Sequence, residues 1–417
     1  MEARMGRGQG TLLHLPFFEV LGGLTEDVPE WRATKAGLVT LRLFDSWVAD
    51  GWCAVEPSTW TARAVRESVR EVESPSVVRS ILTSVLDAME SSPGVRVAVV
   101  APRLMAYGRA LQFEGRWSLA ADVYRTVIAH AHPIEDADVV VPASLQLGAS
   151  LRMLAEWTEA AEAYSAAGEI AALTGDLMNV LRSRVSEGNL AIDRGNLPRA
   201  ETILEGAIAE ASAARFGEVH ALALHARAHV AHMRRDFELA VRLAYEALDG
   251  LTSRTARDRV LSDIATSFLE LGVRSAARDA YLVLAATAQE QYMRWLATVN
   301  LMELAALDRV EPTFEQYRRE LADAPLPVTL AAHYYFYVGQ GYRLFGRPVP
   351  ARAALGRAVE VAAANQLNQL LFDAESSLKE LARGGVPAVP RTADAPASTA
   401  GVADAVRDMR RLAGVGA

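Results

Sequence analysis

Apolar and polar positions along the chain alternate with a helical rhythm, and that rhythm itself repeats on a longer scale. Gly108 is followed by Gly115, Trp117, Ala120 and Tyr124; Gly148 is followed by Ala155, Trp157, Ala160 and Tyr164. The same order returns at Gly188 with Gly195, Leu197, Ala200 and Leu204, and at Ala228 with Arg235, Phe237, Ala240 and Ala244. These anchors lie 40 residues apart. The pattern continues at Ala265 (Gly272, Ala277, Tyr281), weakens at Leu301 (Asp308, Thr313, Tyr317) and recovers at Gly339 (Gly346, Ala351, Leu355), at intervals of 37, 36 and 38. Such self-similarity is the mark of a stacked repeat architecture.

Each anchor has a physical reason. A small residue lets two antiparallel helices approach closely, and Gly or a tolerant polar residue seven positions later ends the first helix in a cap that needs positive φ. The aromatic residue two positions on packs the turn, and Ala with Tyr or Leu continues the buried stripe of a second helix. One such pair cannot bury both faces, whereas a stack of them can, which answers how 417 residues are folded without one oversized core.

Outside the repeats, amphipathic helices are expected over Lys35–Val48, Thr59–Val72 and Val77–Met89, divided by Glu56-Pro57 and Ser74-Pro75. Residues 1–95 therefore read as an N-terminal helical cap or a small module. Arg63, Arg66 and Arg70 are interleaved with Glu67, Glu71 and Glu73, the mark of a solvated face and not of a DNA-reading helix. Leu367–Ala382 reads as the C-terminal cap helix such an array requires. Residues 384–401, rich in Pro, Ala, Ser and Thr, are expected to form a flexible linker. In the tail, residues 402–417, Val402, Val406, Met409 and Ala413 share one face of a short amphipathic helix beside Arg407, Arg410 and Arg411. It is read as a frayed end, with docking in a groove of this or a neighbouring molecule as the alternative.

The residues Gly108, Gly115, Trp117, Ala120 and Tyr124 and their counterparts resemble the tetratricopeptide repeat family over residues 96–383. The resemblance implies an all-α fold, a right-handed α-solenoid of about seven helix-turn-helix repeats with helical caps. The family's usual unit is about 34 residues, so the longer spacing is similar to the repeats of regulatory regions in bacterial transcription activators. In the family the first helix of each pair lines a concave groove, and positions three before, one after and four after the anchor tend to face a ligand. Carried onto this chain, that geometry selects Arg109 and Gln112, Arg152, Asn189, the histidines His225, His229 and His232, and Gln340 and Arg343 as partner-binding residues. It also selects Met105, Val185, Ile192, Ser262, Thr298, Met302 and Ala305. The groove lacks the lysines of members that clamp a chaperone's carboxyl terminus.

Composition narrows the function. The formal net charge of −8 and a pI near 5.6 offer no global positive field for a phosphate backbone, which argues against nucleic acid as partner. Cys53 is the lone cysteine, so neither a disulfide framework nor a multi-cysteine zinc site is available, and beside Trp52 and Ala54 it reads as a buried hydrophobe. No apolar run reaches the ~20 residues of a membrane span, and a cytoplasmic location is expected. Of eight histidines, four (His220, His225, His229, His232) crowd one segment, and the last three form one helical stripe. A polar groove wall is the plain reading; a metal site lacks a visible carboxylate or thiol to complete it, and pH-sensitive partner binding is a third reading. Tyr334 to Tyr337, with Phe336 among them, point all round a helix and are mostly core. No phosphate loop, nucleophile elbow or zinc-protease motif is present, so neither enzymatic activity nor a cofactor is expected. The chain reads as an adaptor or scaffold for a protein or peptide, with a regulatory sensor of small molecules or peptides, or a structural subunit, as alternatives.

Overall fold

The computed structural model describes residues 13–26, 28–51, 56, 58–74, 76–91, 97–385, 389 and 391–416. Among these residues there are twenty α-helices and no strand. Cys53 and its neighbours lie outside the described residues. The chain divides into two compact units, Met1–Ile203 and Leu204–Ala417, the division falling inside a helix.

The first unit opens with α1 (Leu15–Gly23), α2 (Pro29–Ala49), α3 (Trp60–Arg70) and α4 (Val77–Glu90). Three of these match the expected helices, with α2 starting earlier because Pro29, at its first turn, has no N–H to leave unsatisfied. The pairs α5/α6 (Val97–Phe113, Trp117–His130) and α7/α8 (Ala137–Met153, Trp157–Leu173) follow, then α9 (Leu177–Asp193) and the start of α10 (Leu197–Ala213). Phe17, Phe44, Trp47, Leu82, Tyr107 and Tyr124 belong to one buried cluster running from α1 to α7. The helices before residue 95 thus share a core with the first repeats.

The second unit holds the rest of α10, then α11/α12 (Gly217–Met233, Phe237–Gly250), α13/α14 (Arg254–Glu270, Arg274–Thr287), α15/α16 (Gln291–Leu307, Glu311–Ala322) and α17/α18 (Val328–Leu344, Pro348–Ala364). It closes with α19 (Asn368–Ala382) and α20 (Ala400–Leu412). Within each unit the helices up to α19 pack chiefly on their neighbours in sequence, the packing of an α-solenoid.

The turns inside the pairs are nearly identical, as the anchors require. The residue seven after the anchor is left-handed at Gly115, Ala155, Gly195, Arg235, Gly272 and Gly346. The next N–H then reaches back over the helix end, as from Arg116 to the Leu111 carbonyl (2.8 Å) and from Glu156 to that of Leu151 (2.9 Å), the Schellman bond. The small anchor permits contact: a Cβ at Gly148 would lie 2.4 Å from the ring of Tyr164, which is itself buried.

The weak sixth unit is corrected by one residue. Its left-handed turn falls on Arg309, not Asp308, which moves the anchor from Leu301 to Met302 and the packing position from Thr313 to Phe314, fully buried. A large anchor had masked the register. The first helices from α5 to α17 are all 17 residues long, so the shortening of the repeat after Ala228 lies in the second helices, α12 and α14 having 14 residues where α8 and α10 have 17.

The C-terminal tail differs from a frayed end. Helix α20 lies on α14 and α12, burying Val402, Ala403 and Val406, and Arg410 pairs with Asp279 at 3.0 Å. Residues 391–401, expected as a flexible linker, are tied to the same surface: the Ala393 N–H donates to the Gly272 carbonyl (2.9 Å), and Ser398 bonds Glu238. The helix therefore sits on second helices of the pairs and not in the groove of the first ones. Its apolar stripe explains the choice, since Val402, Ala403 and Val406 join the buried cluster that holds Ala276, Ala280 and Val283 of α14.

Candidate functional site

The side chains selected from sequence lie on the first helices, and most are committed to a neighbouring repeat. In the first unit Gln112 on α5 donates to Ser150 Oγ on α7 (2.9 Å) and accepts from the Tyr124 hydroxyl (3.2 Å). Arg152 on α7 reaches Asp193 on α9 at 2.5 Å. Arg109 is exposed and Asn189 is half-buried, each one position after its anchor. In the second unit His225 on α11 meets Asp263 on α13 (2.6 Å), while His232 bonds Ser267 (3.0 Å) and packs edge-on against Phe237. His229 is exposed. Gln340 on α17 donates to Ser377 on α19 (2.8 Å), and Arg343 joins Gln340 (2.9 Å) to Glu380 (2.8 Å).

These bonds form a polar ladder between successive first helices. The position four after the anchor makes the rung at Gln112, Arg152, His232 and Arg343. An exposed ion pair contributes little by itself, but the ladder fixes the spacing of helices whose other contacts are apolar. Sequence reasoning placed these residues on the correct helices and missed that their hydrogen bonds are already spent. Of the positions three before the anchor, Met105 and Val185 are 6% exposed and Ser262 is buried, whereas His225 and Phe336 are half-buried; Thr298, selected through the slipped anchor, is buried too. Ile192, Met302 and Ala305 are likewise buried and offer a ligand nothing.

Two clefts open on this face within the second unit. One, of about 140 Å³, lies between His229, His232, Asp263 and Thr266. The histidine stripe is thereby divided among separate partners, and among the described residues no group of three His, Cys, Asp or Glu is disposed to hold a metal ion. The larger, of about 300 Å³, is walled by Phe336, Tyr337, Leu307, Gln340 and Arg343, with Glu303 in its lining. Burial pushes the Glu303 carboxyl up to about 7, aided by nearby Glu270 and opposed by the hydrogen bond from Tyr337. Glu303 escaped the sequence reading because of the one-residue slip. With the anchor at Met302 it is the residue one after the anchor, one of the positions that the tetratricopeptide resemblance assigns to the groove.

A further polar cluster in the first unit had no sequence signal. His14, 4% exposed and held at φ 64°, precedes α1 and bonds Asp122 on α6 (2.6 Å) and Asp45 on α2 (2.9 Å); Asp45 also meets His130 (2.7 Å). A cleft of about 790 Å³ lies beside it. Burial alone would lower the His14 pKa, but the two carboxylates outweigh it and hold it at about 9. Burial of Asp45 is likewise outweighed by His130 and His14, which hold its carboxyl at about 2. The cluster clamps the N-terminal helix to the first repeat.

No protein-family model matches the chain, and no curated protein matches it by sequence. Among solved structures, the Rap conjugation gene regulator of the plasmid pLS20, in complex with the Phr* peptide, is similar with a TM-score of 0.52 and 13% identity. That match covers 81% of this chain and 98% of the regulator. BtubC from P. vanneervenii aligns at 17% identity over 76% of this chain and 95% of its own, with a TM-score of 0.26. The likeness to the Rap regulator shows a shared helical-repeat fold. Among the described residues no helix is long and apolar enough to cross a membrane.

Proposed function

We propose that the protein is a tetratricopeptide-type scaffold that binds a peptide or an extended protein segment on the face of its first helices and carries out no chemistry of its own. The observation that carries this reading is the polar, cleft-bearing face of the first helices in the second unit: rungs fix these helices, His229 is exposed on them, and Glu303 lines the cleft beside Phe336. A rigid face of this kind loses little entropy when it orders an extended ligand. The structurally similar Rap regulator, captured with a peptide, supports the same use of the fold. Because that neighbour is a gene regulator, its likeness also favours a second reading, in which peptide occupancy regulates a further protein.

Selection from a displayed peptide library tests the reading. Peptides that bind the parent should lose affinity at least tenfold with Phe336→Ala, while Arg357→Glu on the second helix α18 leaves binding intact. Loss with Arg357→Glu alone would place the site on the opposite face. Arg152→Glu is a poor probe, since it breaks the rung to Asp193.

A further inference from the structure

Two carboxylates on the first-helix face of the second unit have partners of opposite sign: Asp263 has His225, and Glu380 has Arg343. Glu303 differs. It accepts from the Tyr337 hydroxyl and has no cationic partner among the described residues, although it is half-buried in the lining of the 300 Å³ cleft. A carboxylate drawn out of water without a counter-charge is costly, and such a group persists where something else supplies the charge. The cleft is at the small end of ligand pockets, suited to one long side chain. Its Phe336 and Tyr337 walls present aromatic surface, on which a cation is favoured over an anion. Arg343 and Glu380 neutralise each other across the far side, so Glu303, with exposed Glu270 nearby, leaves the cleft with an excess of negative charge.

We propose that this cleft seats one basic side chain, arginine or lysine, of the bound peptide, with Glu303 as its counter-charge. The inference rests on the reading of the first-helix face as a peptide site and names what that site selects. The guanidinium or ammonium group takes the Glu303 carboxylate, and its aliphatic stem lies along Leu307 and Phe336. An uncharged isostere leaves Glu303 unpaired and binds poorly.

The proposal carries a pH signature. The groups around the carboxyl are Glu270 on α13, Tyr281 on α14, Tyr337 and Arg343 on α17 and Glu380 on α19. In the empty cleft Glu303 holds its proton up to about pH 7. A cation binds the ionised form, so its apparent affinity falls about tenfold between pH 8 and pH 6. The empty chain behaves in the opposite sense. An acid whose pKa is raised on folding stabilises most at low pH, and that stability is lost as pH rises from the ordinary glutamate range through about 7. Glu303→Gln, which is isosteric, should therefore melt with the parent at pH 5 and above it at pH 8.

The test uses the full chain and two probes of matched shape, acetyl-arginine methylamide and acetyl-citrulline methylamide, titrated by NMR at pH 6 and pH 8. The arginine probe is expected to bind at least tenfold more tightly than citrulline at pH 8. That preference should shrink at pH 6 and vanish in Glu303→Gln. Equal binding of the two probes, or preference retained in Glu303→Gln, overturns the proposal. So does a Glu303→Gln chain whose melting temperature matches the parent at both pH values. A hexapeptide library on the same chain separates the two readings. Capture without enrichment of Arg or Lys leaves the peptide face standing and removes the cation seat, whereas binding of the arginine probe with no library peptide captured does the reverse.

Discussion

His14 shows how one side chain can govern a terminus. It takes a left-handed backbone, which costs a non-glycine residue of order 1 kcal/mol, and spends both ring nitrogens on Asp122 and Asp45. His14→Asn keeps a residue type that tolerates this backbone while removing the charge. It is expected to destabilise the first unit by about 3 kcal/mol at pH 6, since it leaves two carboxylates facing one another in a half-dry site; chemical denaturation reads the loss. The pH window follows from the two shifts. His14, raised from 6.5 to about 9, contributes fully below pH 6.5 and is lost as pH climbs through 9. Asp45, lowered from 3.8 to about 2, contributes above pH 3.8 and is lost as pH falls through 2. The clamp is therefore strongest between about pH 4 and 6.5, and the Asn variant should show a flatter stability profile on both sides. None of this was visible in the chain, because His14 and Asp122 are 108 residues apart and no periodicity links them.

At the scale of the helix pair, the sequence was more eloquent. The anchors Gly108, Gly148 and Gly339, and the turns at Gly115, Ala155 and Gly346, were legible because close approach and positive φ each demand particular residue types. Gly148→Leu is accordingly expected to cost about 3 kcal/mol by driving a side chain into Tyr164. A melting curve equal to the parent's would show that α7 and α8 do not meet there. The sixth pair was misread where the demand relaxes: Met302 replaces a small anchor and Arg309 a glycine, and Phe314 fills the space instead. That slip of one residue concealed Glu303. The polar ladder was half-legible. Spacing put Gln112, Arg152, His232 and Arg343 on the first helices, where they lie, but whether a polar side chain is open or already paired depends on the next repeat's helix.

For the chain as a whole, composition argued against a nucleic-acid partner, and the repeat gave the fold class within each unit. The C-terminal segment was where reading by composition failed. Its Pro, Ala and Thr content signals a linker, yet Thr399 is fully buried and α20 lies against α12 and α14. Truncation before residue 391 should lower the stability of the second unit by about 3–5 kcal/mol, the burial of Val402, Val406 and Ala403 being lost, and should increase binding of an apolar dye. Peptide binding on the first helices should survive the truncation, because α20 occupies the second helices. The central claim concerns which face of the repeats takes the ligand, and photo-crosslinking locates it most directly. A library-selected peptide carrying a benzophenone, irradiated on the full chain and mapped by mass spectrometry, is expected to label the first helices of the second unit, around His229 or Phe336. Labels concentrated on the second helices, around Arg357 or on α20, would contradict the account.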